Sequence, residues 1–571
     1  MALFGLLAGC AAVAPRPEEP PMAQEPAEVA EEVEQAEPET PPGAGLTGEV
    51  LYQLLAGEIA GQRRMMPVAT EFYLAAARNV ADPRVAERAA RVALFARNEP
   101  AAREAAEIWV ELAPASHQGR QTLAALHIRA GEVEAATEQL EALIELVGPE
   151  SSESFMAIGG LLAREEDQKT ALAVMDNLVA ERQDNPDALF ARAHMAKRLG
   201  EHERAAEDLE KVLDMRPDWT QALILRAGLQ RHREGPEAAL GDLAASVDAY
   251  PEDRTLRLTY AQYLVDADEL ESARREFNRL ASEKPEDTEV RFALGLLNLE
   301  VGEPEEAEAH MRYLVEREEG GDNAVFFLGR AMLAQGRDEE AERWFRRVDG
   351  GDYRFNARLL VARIMADRGE IVEARHFLQS VQPGSEDEQV RLILTEGRLL
   401  READNLETAF EVYSRGLEQH PDQHDILYAR ALVAEQLDRL DVLEGDLRRI
   451  LEQEPDHAHA LNALGYTLVD RTDRIEEGMT YIRRAYDQLP DDPAILDSVG
   501  WGFYRLGELD AAETYLRRAM ERAEDAEIAA HLGEVLWEQG ERDEARDIWE
   551  KGLEIDPDDQ TLRETMRRLL P

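Results

Sequence analysis

Apolar residues recur along this chain at i, i+3 and i+4, as in Leu532, Val535 and Leu536. That spacing keeps one stripe of an α-helix out of water. No stretch alternates with period two for long enough to suggest a strand. The helical segments are interrupted by a short polar loop that returns about every 34 residues: Gly131-Glu132, Gly200-Glu201, Gly302-Glu303, Gly336-Arg337, Gly369-Glu370, Gly507-Glu508 and Gly540-Glu541. The beat continues in weaker form at Glu166, Gly235, Asp268, Asp404, Asp438 and Thr472, the last with a one-residue insertion after it. Pro217, Pro251 and Pro285 keep the same period, as do Pro421 and Pro455, and each is expected to close a second helix. A fixed period of this size predicts an all-α array of helical hairpins.

The register can be read more finely. Seven residues before each loop stands Gly or Ala, from Ala124 and Gly159 through Gly465 and Gly500 to Gly533. Five residues after it stands mostly Ala. Two antiparallel helices joined by a short turn approach closely only where side chains are small. The sequence therefore divides into irregular N-terminal hairpins (residues 46–115), with loops expected at Arg63-Arg64 and Asn98-Glu99, a regular array (116–557) and a final segment (558–571). In that last segment Leu562, Met566 and Leu569 fall on one helical face and Arg563, Arg567 and Arg568 away from it, as a capping helix requires.

Gly500, Phe503, Ala512, Tyr515 and Ala519 together resemble the tetratricopeptide repeat. The resemblance covers roughly residues 50–557 and implies a superhelical solenoid that binds proteins. It also implies that the first helix of each hairpin lines the groove. On that register His459, Asn462, Tyr466 and Asp470 share a face, followed by Asp497, Trp501, Tyr504 and Arg505, then Ala530, Glu534 and Trp537. Asn462, Tyr466, Asp497, Trp501, Tyr504, Arg505, Glu534 and Trp537 are the expected partner-binding set, with Trp501 and Trp537 as its anchors.

Charge narrows the choice of partner. The formal net charge is −54, with carboxylates in every repeat. Nucleic acid and anionic lipid are thereby excluded as general partners. No phosphate-binding glycine loop, nucleophile elbow or zinc helix is present, and His420/His424 and His457/His459 lack further ligands, so neither catalysis nor a metal or cofactor is expected.

The only cysteine, Cys10, follows Leu7-Ala8-Gly9, which resembles the lipobox of bacterial lipoproteins. Residues 1–10 then read as a signal sequence ending at a lipidated Cys10, although no basic residue precedes the apolar run. Ala11 in place of aspartate implies the outer membrane, with acyl chains as the sole anchor. Residues 11–45 read as an acidic Pro/Glu-rich linker with too little apolar surface to fold.

Leu51–Arg63, Asp82–Arg88, Trp109–Pro114, Asn462–Tyr466, Asp492–Trp501 and Ala530–Trp537 resemble the outer-membrane tetratricopeptide lipoproteins of proteobacteria. One of these is the binding partner of a periplasmic carboxyl-terminal processing protease. That resemblance implies an adaptor that recruits the protease together with its substrates, the peptidoglycan hydrolases. A scaffold for assembling an envelope machine, such as a pilus secretin or a polysaccharide exporter, is the alternative.

Overall fold

The computed structural model describes residues 46–148 and 152–570; Cys10, the proposed signal and residues 11–45 lie outside them. The described residues form 31 helices and no strand. Most are 13–15 residues long and run as successive antiparallel pairs. By contacts the chain divides into two units, Met1–Gly302 and Glu303–Pro571.

The loop beat has a backbone cause. Gly131, Gly200, Gly302, Gly336, Gly369, Gly507 and Gly540 all have φ between 71° and 92°, the left-handed region. Where glycine is missing, Asp268, Asp404 and Asp438 take the same conformation at φ 57–61°, which aspartate tolerates better than most residues. The following N–H then reaches back to the last turn of the first helix, as Glu201 N does to Ala196 O and Glu508 N to Phe503 O, both at 2.9 Å. Thr472 departs from the rule: at φ −140° it is extended, consistent with the insertion that follows it.

First helices begin at side-chain caps: Asp253 and Asp287 follow Pro251 and Pro285 by two residues, and Asp492 and Asp525 cap later first helices in the same way.

In the N-terminal unit, Gly48–Gln62, Met66–Asn79, Pro83–Phe95 and Glu99–Leu112 pack on an alanine-rich core that includes Tyr73 and Trp109. Further along this unit a continuous core runs from Ala124 to Leu256. Arg192 and Arg226 each reach across their hairpin with paired bonds of 2.5–3.0 Å to Asp208 and Asp242. Such two-pronged pairing fixes geometry as well as contributing energy.

In the C-terminal unit Arg430 and Asp446 repeat that bond at 2.7–2.8 Å. The small residues differ in what they make room for. Gly465 and Gly478 face each other, and a Cβ on either would lie within 2.8 Å of the other's carbonyl oxygen. Gly397, by contrast, receives the ring of Tyr413 and Gly533 that of Trp549. The last helix, Gln560–Leu569, lays Leu562 on the terminal core beside Met566 and Leu569. Arg568, expected to face away, instead turns back to Glu534.

Candidate functional site

A cavity of about 950 Å³ opens in the C-terminal unit. Its walls come from the first helices of four successive hairpins, His424–Gln436, Ala458–Arg471, Pro493–Arg505 and Ala526–Gln539, with the final helix Gln560–Leu569. Since each hairpin repeats the last after about 34 residues, a residue meets its counterpart one period on. Asp497 accepts from Nδ1 of His531 at 2.9 and 3.0 Å, and Glu534 accepts from Arg568; each pair is 34 residues apart.

Around the first pair the aromatic rings form a stack. Trp501 lies 4.1 Å from the His531 ring at 22° and 4.7 Å from the Tyr504 ring at 27°. Its indole N–H donates to Asp470 at 2.9 Å. Tyr504 donates to Glu534 at 2.7 Å, and Tyr466 to Glu527 at 3.1 Å. Burial alone would depress the His531 pKa, but Asp497, helped by Glu527 and Asp470, holds it up at about 9. The ring is therefore protonated at neutral pH, and its charge lies against the Trp501 face.

The carboxylates are less comfortable. Glu435 is pushed up by lost hydration and then by Glu527. Glu527, at the open mouth, is pushed up mainly by lost hydration among the surrounding walls and next by Asp497, against the pull of His531. Eight carboxylates line the space against Arg471, Arg568 and His531, and all three cationic groups are already paired. One carboxamide atom of Asn462 is enclosed and has no hydrogen-bond partner. A cavity with surplus negative charge and an unmet polar atom suits an incoming chain that carries N–H donors and positive charge.

The residues singled out from sequence do not all arrive there. Asn462, Tyr466, Asp470, Asp497, Trp501 and Glu534 line the cavity; His459, Tyr504, Arg505 and Trp537 do not. Trp501 is only 8 % exposed, so it builds the wall and is no projecting anchor. Trp537 turns instead toward its own hairpin, 5.6 Å from Trp549 and beneath Arg542 and Arg546. Arg505 is occupied by the Asp470 carbonyl at 2.7 Å. Ala530 is fully buried. His531, Glu435, Glu527 and Arg568 escaped the sequence reading; pairing each position with the one 34 residues on would have found His531 from Asp497 and Arg568 from Glu534. Among the described residues no group of three or more side chains is placed to hold a metal. His420 and His424 face Glu386 and Glu454, while His457 caps its own helix.

Family models described as tetratricopeptide repeat match residues 122–188, 186–218, 258–322, 292–357, 394–442, 444–493 and 503–569, together more than half the chain. A TPR repeat-containing protein of Pseudomonas aeruginosa is 42 % identical over 190 residues, which are 33 % of this chain and 32 % of that protein. Bacteriophage adsorption protein A of Escherichia coli is 31 % identical over 104 residues, 18 % of this chain and 10 % of its own. The chain thus spans about a third and a tenth of the lengths of these curated relatives. Among solved structures, a thermophilic TPR protein of Thermus thermophilus is 23 % identical over 32 % of this chain and 98 % of its own, with a TM-score of 0.29. The APC/C hetero-tetramer Cut9–Hcn1 is 16 % identical over 92 % and 97 %, with a TM-score of 0.30. The chain belongs to the tetratricopeptide-repeat family, whose repeats act as scaffolds for protein–protein interaction.

Proposed function

We propose that this protein is a non-catalytic adaptor of the bacterial envelope, held at the outer membrane through Cys10, whose C-terminal cavity receives a segment of a partner protein. The carrying observation is the cavity itself, where an enclosed Asn462 carboxamide lacks a partner and carboxylates outnumber cations. A segment bearing lysine or arginine would relieve the crowding of Glu435 and Glu527, and its main chain would satisfy Asn462. The six segments that resemble the proteobacterial lipoproteins support a carboxyl-terminal processing protease as the partner, with peptidoglycan hydrolases as the substrates brought to it. Anchoring by acyl chains is supported by Leu7-Ala8-Gly9-Cys10. No described helix is long and apolar enough to cross a membrane.

The test is capture of the protease from solubilised envelopes by the full-length protein and by Ala494→Trp. Ala494 is an exposed residue of the cavity wall, so the larger side chain fills the space without removing any existing packing. Capture should fall to background while helicity is unchanged. Undiminished capture by this variant would place the partner elsewhere.

A further inference from the structure

The N-terminal unit contains a second cleft, of about 450 Å³, whose charge is the reverse of the chain's. Gly159 and Gly160 leave its floor open, and Arg164, His194 and Arg198 edge it. Among the described residues no aspartate or glutamate lines it, in a chain with 118 acidic residues against 64 Lys and Arg. Its size falls within the ~300–1,000 Å³ of ordinary ligand clefts.

The placement follows from helix geometry and the repeat. His194, Lys197 and Arg198 are three and four residues apart on the helix Pro186–Arg198, so they share one face. Arg164 stands 34 residues before Arg198. The period thus brings like charge beside like. Lys197 is half-buried. Its ammonium occupies the space over Gly228 of the next first helix, where a Cβ would lie 2.9 Å from Nζ and 3.6 Å from the Tyr263 hydroxyl. Elsewhere arginines lie mostly on carboxylates, as Arg192 and Arg226 do nearby. Among the described residues the side chains of Arg164, His194 and Lys197 make no hydrogen bond or ion pair, and Arg198 donates only to the Ala163 carbonyl at 3.2 Å. Burial pushes the Lys197 pKa down with no carboxylate opposing it; burial, then Lys197 and Arg198, push His194 down. Repelling cations around an open space are stabilised by an anion that enters it.

We propose that this cleft binds a carboxylate-bearing peptide segment of a partner protein, with Arg164 and Arg198 holding its acidic side chains. A long polyanion such as nucleic acid fits poorly, because the remainder of the chain repels it, whereas a few carboxylates meet only this local charge. The site is independent of whatever the C-terminal cavity holds.

The experiment is fluorescence anisotropy of labelled hexaglutamate with the full-length protein at low ionic strength, with hexaglutamine as the neutral control. Hexaglutamate should bind and hexaglutamine should not. Arg164→Glu/Arg198→Met should weaken binding at least about tenfold, as the loss of two charge-assisted contacts requires. Gly160→Glu supplies an independent check. A Cβ there meets nothing within 4 Å, so the variant keeps its fold while placing a carboxylate in the cleft, and it too should lose binding; Gly160→Gln should retain most of it. The proposal is overturned if wild-type protein does not distinguish the two peptides, or if Gly160→Glu binds hexaglutamate as tightly as Gly160→Gln. It is equally overturned if inorganic phosphate displaces hexaglutamate at far lower concentration than acetate does, which would assign the cleft to phosphate.

Discussion

The two clefts use the same repeat to opposite ends. In the C-terminal cavity a step of 34 residues sets acid beside base, Asp497 with His531 and Glu534 with Arg568. In the N-terminal cleft the same step sets base beside base, Arg164 with Arg198. Charges that the array pairs with each other are structural. Charges that it leaves without a counterpart are available to a ligand. Fractional burial does not separate the two cases; the identity of the residue one period away does.

The sharpest way to break this comparison is to delete one charge from the C-terminal cavity and one from beside the N-terminal cleft. Asp497→Ala leaves a buried protonated His531 with no direct partner and should cost about 3–5 kcal/mol by chemical denaturation. Lys197→Met removes an ammonium that has no carboxylate to lose, so stability should be unchanged or slightly raised. Comparable losses from both would mean that Lys197 has a structural partner after all.

A second, smaller contrast lies in the small residues. Gly500→Leu drives its side chain into Leu516, where even a Cβ would sit 2.6 Å away, and should cost about 1–3 kcal/mol. Gly160→Ala meets open space and removes a helix-interior glycine, so it should stabilise by up to about 1 kcal/mol. Thermal melts of the two variants, read against wild type, check both signs.

The mildest effect is on pH dependence, where the two histidines should slope in opposite directions. His531 is raised to about 9. Its contribution is complete below the ordinary value of ~6.5 and is lost as pH rises through about 9. His194 is lowered, so its contribution is complete above ~6.5 and is lost as pH falls below that value. Asp497→Asn should flatten the alkaline limb of the stability profile, and His194→Asn the acid limb. An alkaline limb unaltered by Asp497→Asn would remove His531 as its source.

Much of this architecture was legible before any coordinates. The left-handed turn residues fall on the loop beat because the break between paired helices needs positive φ, and the chain meets that need locally with glycine or aspartate. The register from Gly465 and Gly500 brought Asn462, Tyr466, Asp470, Asp497 and Trp501 to one cavity, since face and repeat are both fixed by spacing. The register from Gly533 brought Glu534 to the cavity wall but not Trp537. A ring that large can choose between groove and hairpin, and the hairpin offered Trp549 and two guanidinium groups. The cationic cleft escaped notice for a different reason: a net charge of −54 describes the whole surface and hides two neighbouring arginines.

The account rests most directly on where a captured partner touches the C-terminal unit. Amide hydrogen exchange of the full-length protein, alone and with the captured protease, reads this position by position. The account predicts slowed exchange in Ala458–Arg471, Pro493–Arg505 and Ala526–Gln539, with the intervening second helices Ile475–Gln488 and Leu509–Arg522 unaffected. Protection confined to those second helices, or to Gly48–Leu112, would contradict it.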